Sequence, residues 1–185
     1  MQLLLLFWRP HIQKVITKIS QTIGILGRAR SLMNETQLSL LYSTMILPHL
    51  RYCILNWGNF KVDFNVGLGN KILKLQKCLV RLISNTHRIS HADPLFHTRG
   101  ILKIEHLYEQ SLRLFSYKLS KNKLPREVSS LFRKIEHSHN TRCAKNNLSV
   151  TRANKHSSRS VAPACWNSLS LSWHKAIPLN CLVQS

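Results

Sequence analysis

The spacing of apolar residues along the first part of the chain limits its fold more than any other feature. Between Pro10 and Arg30, apolar residues recur every three or four positions at Ile12, Val15, Ile16, Ile19, Ile23 and Leu26. An α-helix turns about 100° per residue, so these side chains fall on one face, which an extended strand could not achieve. Pro10 suits the first turn of such a helix, because its missing amide would have no partner there. The pattern predicts an amphipathic helix that buries one face.

Similar spacing predicts three further helices, at about 35 to 47, 70 to 84 and 104 to 120. Pro48 should break or kink the second of these, and residues 62 to 70, rich in glycine, should form a loop before the third. Beyond Asn122 the periodicity fades and Ser, Asn, Arg and His dominate. The expected fold class is therefore mainly α, a bundle of about four helices around one core, with a small irregular or β-containing C-terminal appendage.

Size and cysteine content bound the organisation of the chain. Its 185 residues, 44% of them hydrophobic, suffice for one ordinary domain with a small appendage. We expect three parts: a short lead-in at 1–9, a helical domain at 10–121 and a C-terminal module at 122–185. Five cysteines lie far apart without a C-x-x-C pair. This arrangement favours reduced thiols in an intracellular protein over a disulfide framework.

The charge balance indicates a polyanionic partner. Against 27 Lys and Arg residues stand only 7 acidic residues, which gives a formal net charge of +20. Such a surface attracts nucleic acid first, while a basic protein that lies on a membrane surface is the alternative. The apolar run at residues 3–8 is far too short to span a bilayer. The candidate phosphate contacts lie opposite the apolar faces of the first and third helices: Lys14, Lys18, Arg28, Lys74, Lys77 and Arg81.

The acidic residues are too scattered to support polynucleotide synthesis. Two-metal catalysis needs several carboxylates that converge on one site, because Mg²⁺ takes oxygen ligands. Among the seven acidic residues only Glu105 and Glu109 share a helical face, and nearby Lys103 and Arg113 make a solvated helix edge the simpler interpretation. A glycine-rich phosphate loop is also absent from the sequence. We therefore expect no catalytic residues, no cofactor and no small-molecule substrate.

Two other groups of residues have both an ordinary and a functional interpretation. His137, His139, Cys143 and His156 are suitable ligand types for zinc, but their spacing matches no tight ligand knuckle, so we expect no metal site. Tyr52, Trp57, Trp166 and Trp173 could stack on exposed bases, as aromatic residues do in single-strand binding. Buried aromatic anchors are commoner, and the core interpretation is preferred for Trp57 and Trp166.

Several short blocks occur in a fixed order over about residues 6 to 173. They are Leu6-Phe7-Trp8-Arg9-Pro10-His11-Ile12, Lys18-Ile19-Ser20, Gly24-Ile25-Leu26, Leu41-Tyr42, Leu47-Pro48-His49-Leu50-Arg51-Tyr52-Cys53, Asn56-Trp57-Gly58, Leu75-Gln76-Lys77, Arg81-Leu82-Ile83, Asp93-Pro94-Leu95-Phe96, Ile101-Leu102-Lys103-Ile104, His139-Asn140-Thr141-Arg142 with Leu148, and Trp166-Asn167-Ser168-Leu169. Together they resemble the region that follows the palm in reverse transcriptases of jockey-type non-LTR retrotransposons. Ala162-Pro163 stands where the family has Gly-Pro, and Ser170 replaces the proline that ends its last block.

The resemblance implies a helical thumb and a C-terminal module that grip template and primer. Residues 1–9 would be a remnant of the palm-to-thumb junction, 10–121 the thumb-like domain and 122–185 the C-terminal module. The family's catalytic aspartates lie upstream of every matched block, so none carries over to this chain. The expected partners are RNA and DNA, and the expected location is the nucleus or cytoplasm. A helical protein-interaction module and a degenerate, nonfunctional transposon-derived protein remain as alternatives.

Overall fold

The structure, a computed structural model, describes residues 2–59, 66–132, 149 and 158–168. In this part the regular secondary structure is helical, which confirms the predicted mainly-α fold class. The helices are α1 Gln2–Ala29, α2 Glu35–Leu41, α3 Leu47–Arg51, α4 Ile54–Trp57, α5 Val66–Ile83, α6 Asp93–Thr98, α7 Ile104–Ser120, α8 Arg126–Ser129 and α9 Ser158–Asn167, with a π-helical segment at Tyr42–Ile46. The chain divides into two compact units, Met1–Glu109 and Gln110–Ser185.

Helix α1 buries the face that its spacing predicts. Ile12, Val15, Ile19 and Leu26 are at most 4% exposed. The helix begins at Gln2, however, so the expectation that Pro10 starts it was wrong. Leucine is among the best helix formers, and the leucine-rich run before Pro10 continues the helix toward the N-terminus. Pro10 lies inside the helix, where its ring nitrogen cannot donate a hydrogen bond and its ring crowds the carbonyl four residues earlier.

The chain from Glu35 to Arg51 is helical in three successive pieces. It begins with a capping box, because the Gln37 amide donates to Asn34 Oδ1 at 2.9 Å and the Asn34 amide donates to Gln37 Oε1 at 3.0 Å. Pro48 was predicted to break or kink this helix, and the regular α-helix is interrupted just before it. The preceding segment widens into a π-helix, closed by a bond from the Leu47 amide to the Tyr42 carbonyl, and Pro48 then occupies the first turn of α3, where no amide is needed.

Helix α5 is the central element of the first unit. Its residues Ile72, Leu79 and Ile83 are fully buried, and it packs against α1, α2 and α6. Residues 66–70 belong to the helix, so the predicted loop was wrong over that part of its length. Glycine weakens a helix without preventing it, and burial of the long apolar face outweighs that local cost.

Helices α5, α6 and α7 end in the same way. Asn85, Gly100 and Asn122 adopt left-handed backbone conformations, with φ of 50°, 63° and 54°. In each case the next amide reaches back to a carbonyl in the last turn: Thr86 to Arg81 at 3.1 Å, Ile101 to Phe96 at 3.0 Å and Lys123 to Lys118 at 2.8 Å. This is the Schellman arrangement, which asparagine and glycine tolerate best. Helix α7 thus ends at Ser120, where the sequence periodicity stops.

The second unit has a small core of its own. Leu119 is buried against Tyr117, Leu124 and Phe132. Within the described residues after Asn122, the chain forms the short helices α8 and α9, which the sequence pattern had not predicted, and no strand; the other residues of the predicted C-terminal module lie outside the described ranges. The Ser116 hydroxyl lies within hydrogen-bonding distance of the Ala162 carbonyl, 3.0 Å away, and Ala162 is fully buried. This tertiary contact stabilises α9, which is too short for a helical period to be recognised in its sequence.

Candidate nucleic-acid interface

The first basic face lies on the outer side of α1. Lys14, Lys18 and Arg28 are all exposed, within an arc of about 80° opposite the buried apolar face. Within the described residues, no carboxylate pairs with any of these three side chains. The sequence therefore placed this face correctly toward solvent. Because the opposite side of the helix is fixed in the core, the three cations are held along a rigid element.

The second basic face, on α5, departs in part from its prediction. Lys74 is exposed, as is Lys71, which the sequence pattern had not singled out. Lys77 and Arg81 are half-buried. Arg81 Nε donates to the Ser90 carbonyl at 2.7 Å, so this guanidinium also holds the loop after α5. The prediction that Arg81 projects freely into solvent was wrong, because the chain folds back over the last turn of the helix.

Two cations close to these faces are committed to carboxylates. Arg99 pairs with Glu35 at 2.5 Å, and its Nε donates to Ser84 Oγ at 3.1 Å. Lys103 Nζ lies 2.6 Å from Asp93 and lowers the pKa of that carboxyl through this hydrogen bond, with a smaller contribution from Lys77. These residues act as structural ion pairs. Among the described residues, no carboxylate forms an ion pair with the exposed cations Lys14, Lys18, Arg28, Lys71 and Lys74.

A groove forms where the C-terminal ends of α1 and α5 meet. Leu82 Cδ1 lies 3.8 Å from the position that a Gly27 Cβ would occupy, and Arg30 Nε donates to Asn85 Oδ1 at 2.9 Å. The groove has a volume of about 640 Å³. Its basic lining residues are Arg30, Arg81, His87 and Arg88. Of these, only Arg81 was a candidate from the sequence, because Arg30, His87 and Arg88 lie outside the predicted helical faces. The adjacent basic residues at 87 and 88 are the sequence feature that could have indicated this groove.

The tryptophan that could have been a base-stacking platform is part of the core. Trp57 is fully buried, and its Nε1 donates to the Tyr52 carbonyl at 2.7 Å, which confirms the core interpretation. His11 packs at 5.9 Å from the Trp57 ring, between centroids. The side chain of Trp166 lies outside the described residues.

The remaining sequence candidates give no second site. His137, His139, Cys143 and His156 lie outside the described residues; within the described ranges, no group of three or more His, Cys, Asp or Glu residues could hold a metal ion. Glu105 is exposed, and a Glu109 carboxylate oxygen lies 3.9 Å from His106 Nδ1. In the part of the chain that the structure describes, no helix combines the length and the apolar character needed to cross a membrane.

Comparison with known proteins identifies no relative. No protein-family model, no curated protein and no solved structure matches this chain. Charge, burial and hydrogen bonding at the two basic faces and the groove are therefore the observations from which a function can be inferred.

Proposed function

We propose that this chain is a noncatalytic nucleic-acid-binding region of a retrotransposon reverse transcriptase, the part beyond the palm, which grips the RNA and DNA backbones of template and primer. The observation that carries the proposal is the exposure of Lys14, Lys18 and Lys74 without a carboxylate partner in the described part of the chain. Unpaired cations on rigid helices repel one another, and a phosphate backbone relieves that repulsion.

The resemblance depends on the order of the matched blocks in the sequence. Trp57, Gly58 and Gln76 of these blocks lie in the core, whereas Tyr52 and Ile25 are exposed, at 63% and 49%.

The proposed region performs no chemistry of its own. In the parent element, which would be an RNA-directed DNA polymerase, the catalytic aspartates lie upstream of the matched blocks. Two of the acidic residues in the described part, Glu35 and Asp93, are engaged with Arg99 and Lys103. The partners are RNA and DNA, and the site of action is intracellular, in the nucleus or cytoplasm.

The test is binding of the purified chain to labelled RNA, single-stranded DNA and duplex DNA of unrelated sequences. Phosphate contacts carry little base information, so affinities should depend little on sequence. Between roughly 50 and 200 mM salt the affinity should fall steeply, by about a factor of ten or more for several contacts. Absence of binding at low salt, or binding that salt does not weaken, would contradict the proposal.

A helical protein-interaction module is the second candidate. Three large apolar side chains of the first unit are exposed and favour this candidate: Leu32 at 86%, Leu40 at 63% and Ile25 at 49%. Such side chains on a folded surface mark contact sites when they form a continuous patch. If the chain binds no nucleic acid and self-associates through these side chains, this candidate replaces the first.

A further inference from the structure

The groove between the ends of α1 and α5 collects three guanidinium groups from separate parts of the chain. Arg30 follows the end of α1, Arg81 lies in the last turn of α5, and Arg88 lies in the loop after it. His87 completes the lining. In the described part of the chain, no carboxylate pairs with any of the three arginines. Three arginines therefore line one groove without a carboxylate partner among these residues.

Two of these guanidiniums are held in place by groups that leave them charged and able to donate. Arg81 Nε is bonded to the Ser90 carbonyl at 2.7 Å, and Arg30 donates from Nε and Nη2 to Asn85 Oδ1. Asn85 is itself fixed as the left-handed residue that ends α5. Arginine has five N–H donors, so each side chain keeps further donors after these bonds. The groove is thus preorganised for an acceptor.

Helix capping does not account for the cluster. Arginines near a helix end often bond the last carbonyls or offset the helix dipole. Here the Thr86 amide already bonds the Arg81 carbonyl at 3.1 Å, and the Asn85 amide bonds the Leu82 carbonyl at 3.3 Å. These carbonyls have backbone partners, so the guanidiniums are not needed for them.

We propose that this groove is a binding site for a phosphate group. Planar guanidinium forks match the oxygen geometry of phosphate, and several forks around one groove fit a tetrahedral anion better than a single carboxylate. The backbone amide of Ile89 donates to His87 Nδ1 at 3.5 Å. When the ring is neutral and Nδ1 accepts this bond, the ring proton lies on Nε2, which can donate to a phosphate oxygen. A volume of about 640 Å³ also admits the sugar attached to a phosphate.

The phosphate has three possible sources: an internal phosphate of a nucleic-acid strand, its terminal phosphate, or a free phosphate. The first two rest on the proposed function, and the third does not. The test compares wild type with Arg30→Gln/Arg88→Gln. The matched control is Lys121→Gln/Lys123→Gln, which removes the same charge from two exposed side chains outside the groove, in the residues after α7.

Each protein is titrated with a single-stranded oligonucleotide that carries a 5′-phosphate, with the same strand ending in a 5′-hydroxyl, and with inorganic phosphate. The phosphate titration is followed by NMR of the arginine Nε–H signals. The groove variant should bind at least about tenfold more weakly than the control, because charge-assisted hydrogen bonds are lost. If Arg30 and Arg88 hold the same phosphate, the slope of log affinity against log salt concentration on a single strand should fall by about 0.7. Two separate phosphate contacts would lower that slope by about 1.4.

The three titrations distinguish the sources. A loss confined to the 5′-phosphorylated strand identifies a terminal phosphate, an equal loss for both strands identifies an internal one, and a loss of the NMR response alone identifies free phosphate. The proposal is overturned if the groove variant matches the control in all three titrations. If wild type binds neither strand, the proposed function fails, while the inorganic phosphate titration still decides the groove. Should the double variant not fold, Arg88→Gln alone, at an exposed side chain, is compared with Lys121→Gln.

Discussion

The side-chain oxygen of Gln76 accepts a hydrogen bond from the backbone amide of Ile104 at 2.9 Å, inside the core of the first unit. Ile104 is the first residue of α7, where backbone amides have no partner within the helix. Gln76 Nε2 also donates to the Leu102 carbonyl at 3.2 Å. One fully buried side chain therefore satisfies two backbone groups at the start of α7 and fixes that start against α5.

Replacement of Gln76 by leucine should destabilise the fold strongly. The change keeps a side chain of similar volume but removes the partners of the buried Ile104 amide and of the partly buried Leu102 carbonyl. The buried amide alone should cost about 1 to 3 kcal/mol. Urea unfolding followed by circular dichroism measures the loss. Gln21→Leu is the control, because Gln21 is exposed on α1 and its replacement should change stability by less than about 0.5 kcal/mol. Equal unfolding midpoints for both variants would disprove this role of Gln76.

Gly58 should tolerate no side chain. A Cβ at this position would lie 2.6 Å from the Ile54 carbonyl oxygen and 3.0 Å from Tyr108 Cδ2. Because the Gly58 amide also bonds that carbonyl at 2.7 Å, the backbone cannot move away without losing the end of α4. We expect Gly58→Ala to lower the free energy of unfolding by about 1 to 3 kcal/mol. Thermal denaturation measures the effect.

Gly24→Ala is the matched control for that experiment. Gly24 lies inside α1, and a Cβ there would have no heavy atom within 4 Å. Alanine is a better helix former than glycine by up to about 1 kcal/mol, so this variant should be more stable than wild type. Destabilisation by both substitutions would mean that the steric argument for Gly58 is wrong.

His11 should make the stability of the chain depend on pH. Its ring packs against Trp8, Tyr52 and Trp57, and burial, with a further contribution from Lys14, lowers its pKa below the usual value. As the pH falls, the unfolded chain therefore binds a proton at this histidine before the folded chain does. The contribution of the neutral His11 ring to the free energy of unfolding is complete above about pH 6.5 and is lost as the pH falls below that value.

The stability of wild type and of His11→Gln, measured between about pH 7.5 and 5, should therefore converge in acid. The glutamine lacks the titrating group, so its stability should fall less over this range. Gln13→Ala, an exposed substitution on the same helix that removes no titrating group, should retain the wild-type pH dependence. If His11→Gln and wild type lose stability in parallel, the titration of His11 is not linked to folding.

The long amphipathic helices could be predicted from the sequence, and the groove could not. Ile12 and Ile19 repeat a helical period over many turns, so their burial follows from the pattern. Helix α6 is too short to show a period, and its Phe96 is buried through contacts with Val80 of α5. Arg30 and Arg88 line one groove because the ends of α1 and α5 lie close together and a left-handed turn follows α5. That proximity depends on tertiary packing, which residue spacing does not encode.

The isolated chain should extend no primer on any template with Mg²⁺ or Mn²⁺. Metal-dependent nucleotide transfer needs clustered carboxylates, whereas the sequence has only scattered ones. A primer-extension assay with purified protein measures this. Incorporation that depends on a template and survives Asp63→Asn and Asp93→Asn separately would contradict the noncatalytic role.

Removal of the lysines from the two basic faces should reduce the salt dependence of nucleic-acid binding. The variant replaces four side chains by glutamine: Lys14, Lys18, Lys74 and Lys77. Arg81 is kept, because its bond to the Ser90 carbonyl makes it part of the fold. If each lysine contacts one phosphate, the slope of log affinity against log salt should fall by about 2.8 on a single strand and about 3.6 on a duplex. Fluorescence anisotropy at several salt concentrations gives the slope.

The fold of this variant is checked by circular dichroism, since four surface substitutions should change stability little. Trp57→Ala is the contrasting control: the loss of a fully buried ring should cost about 3 to 5 kcal/mol and impair binding only through unfolding. The two variants therefore separate loss of contact from loss of structure. An unchanged salt slope with intact helices would remove these lysines from the interface, and binding by the groove arginines alone would then have to account for any affinity that remains.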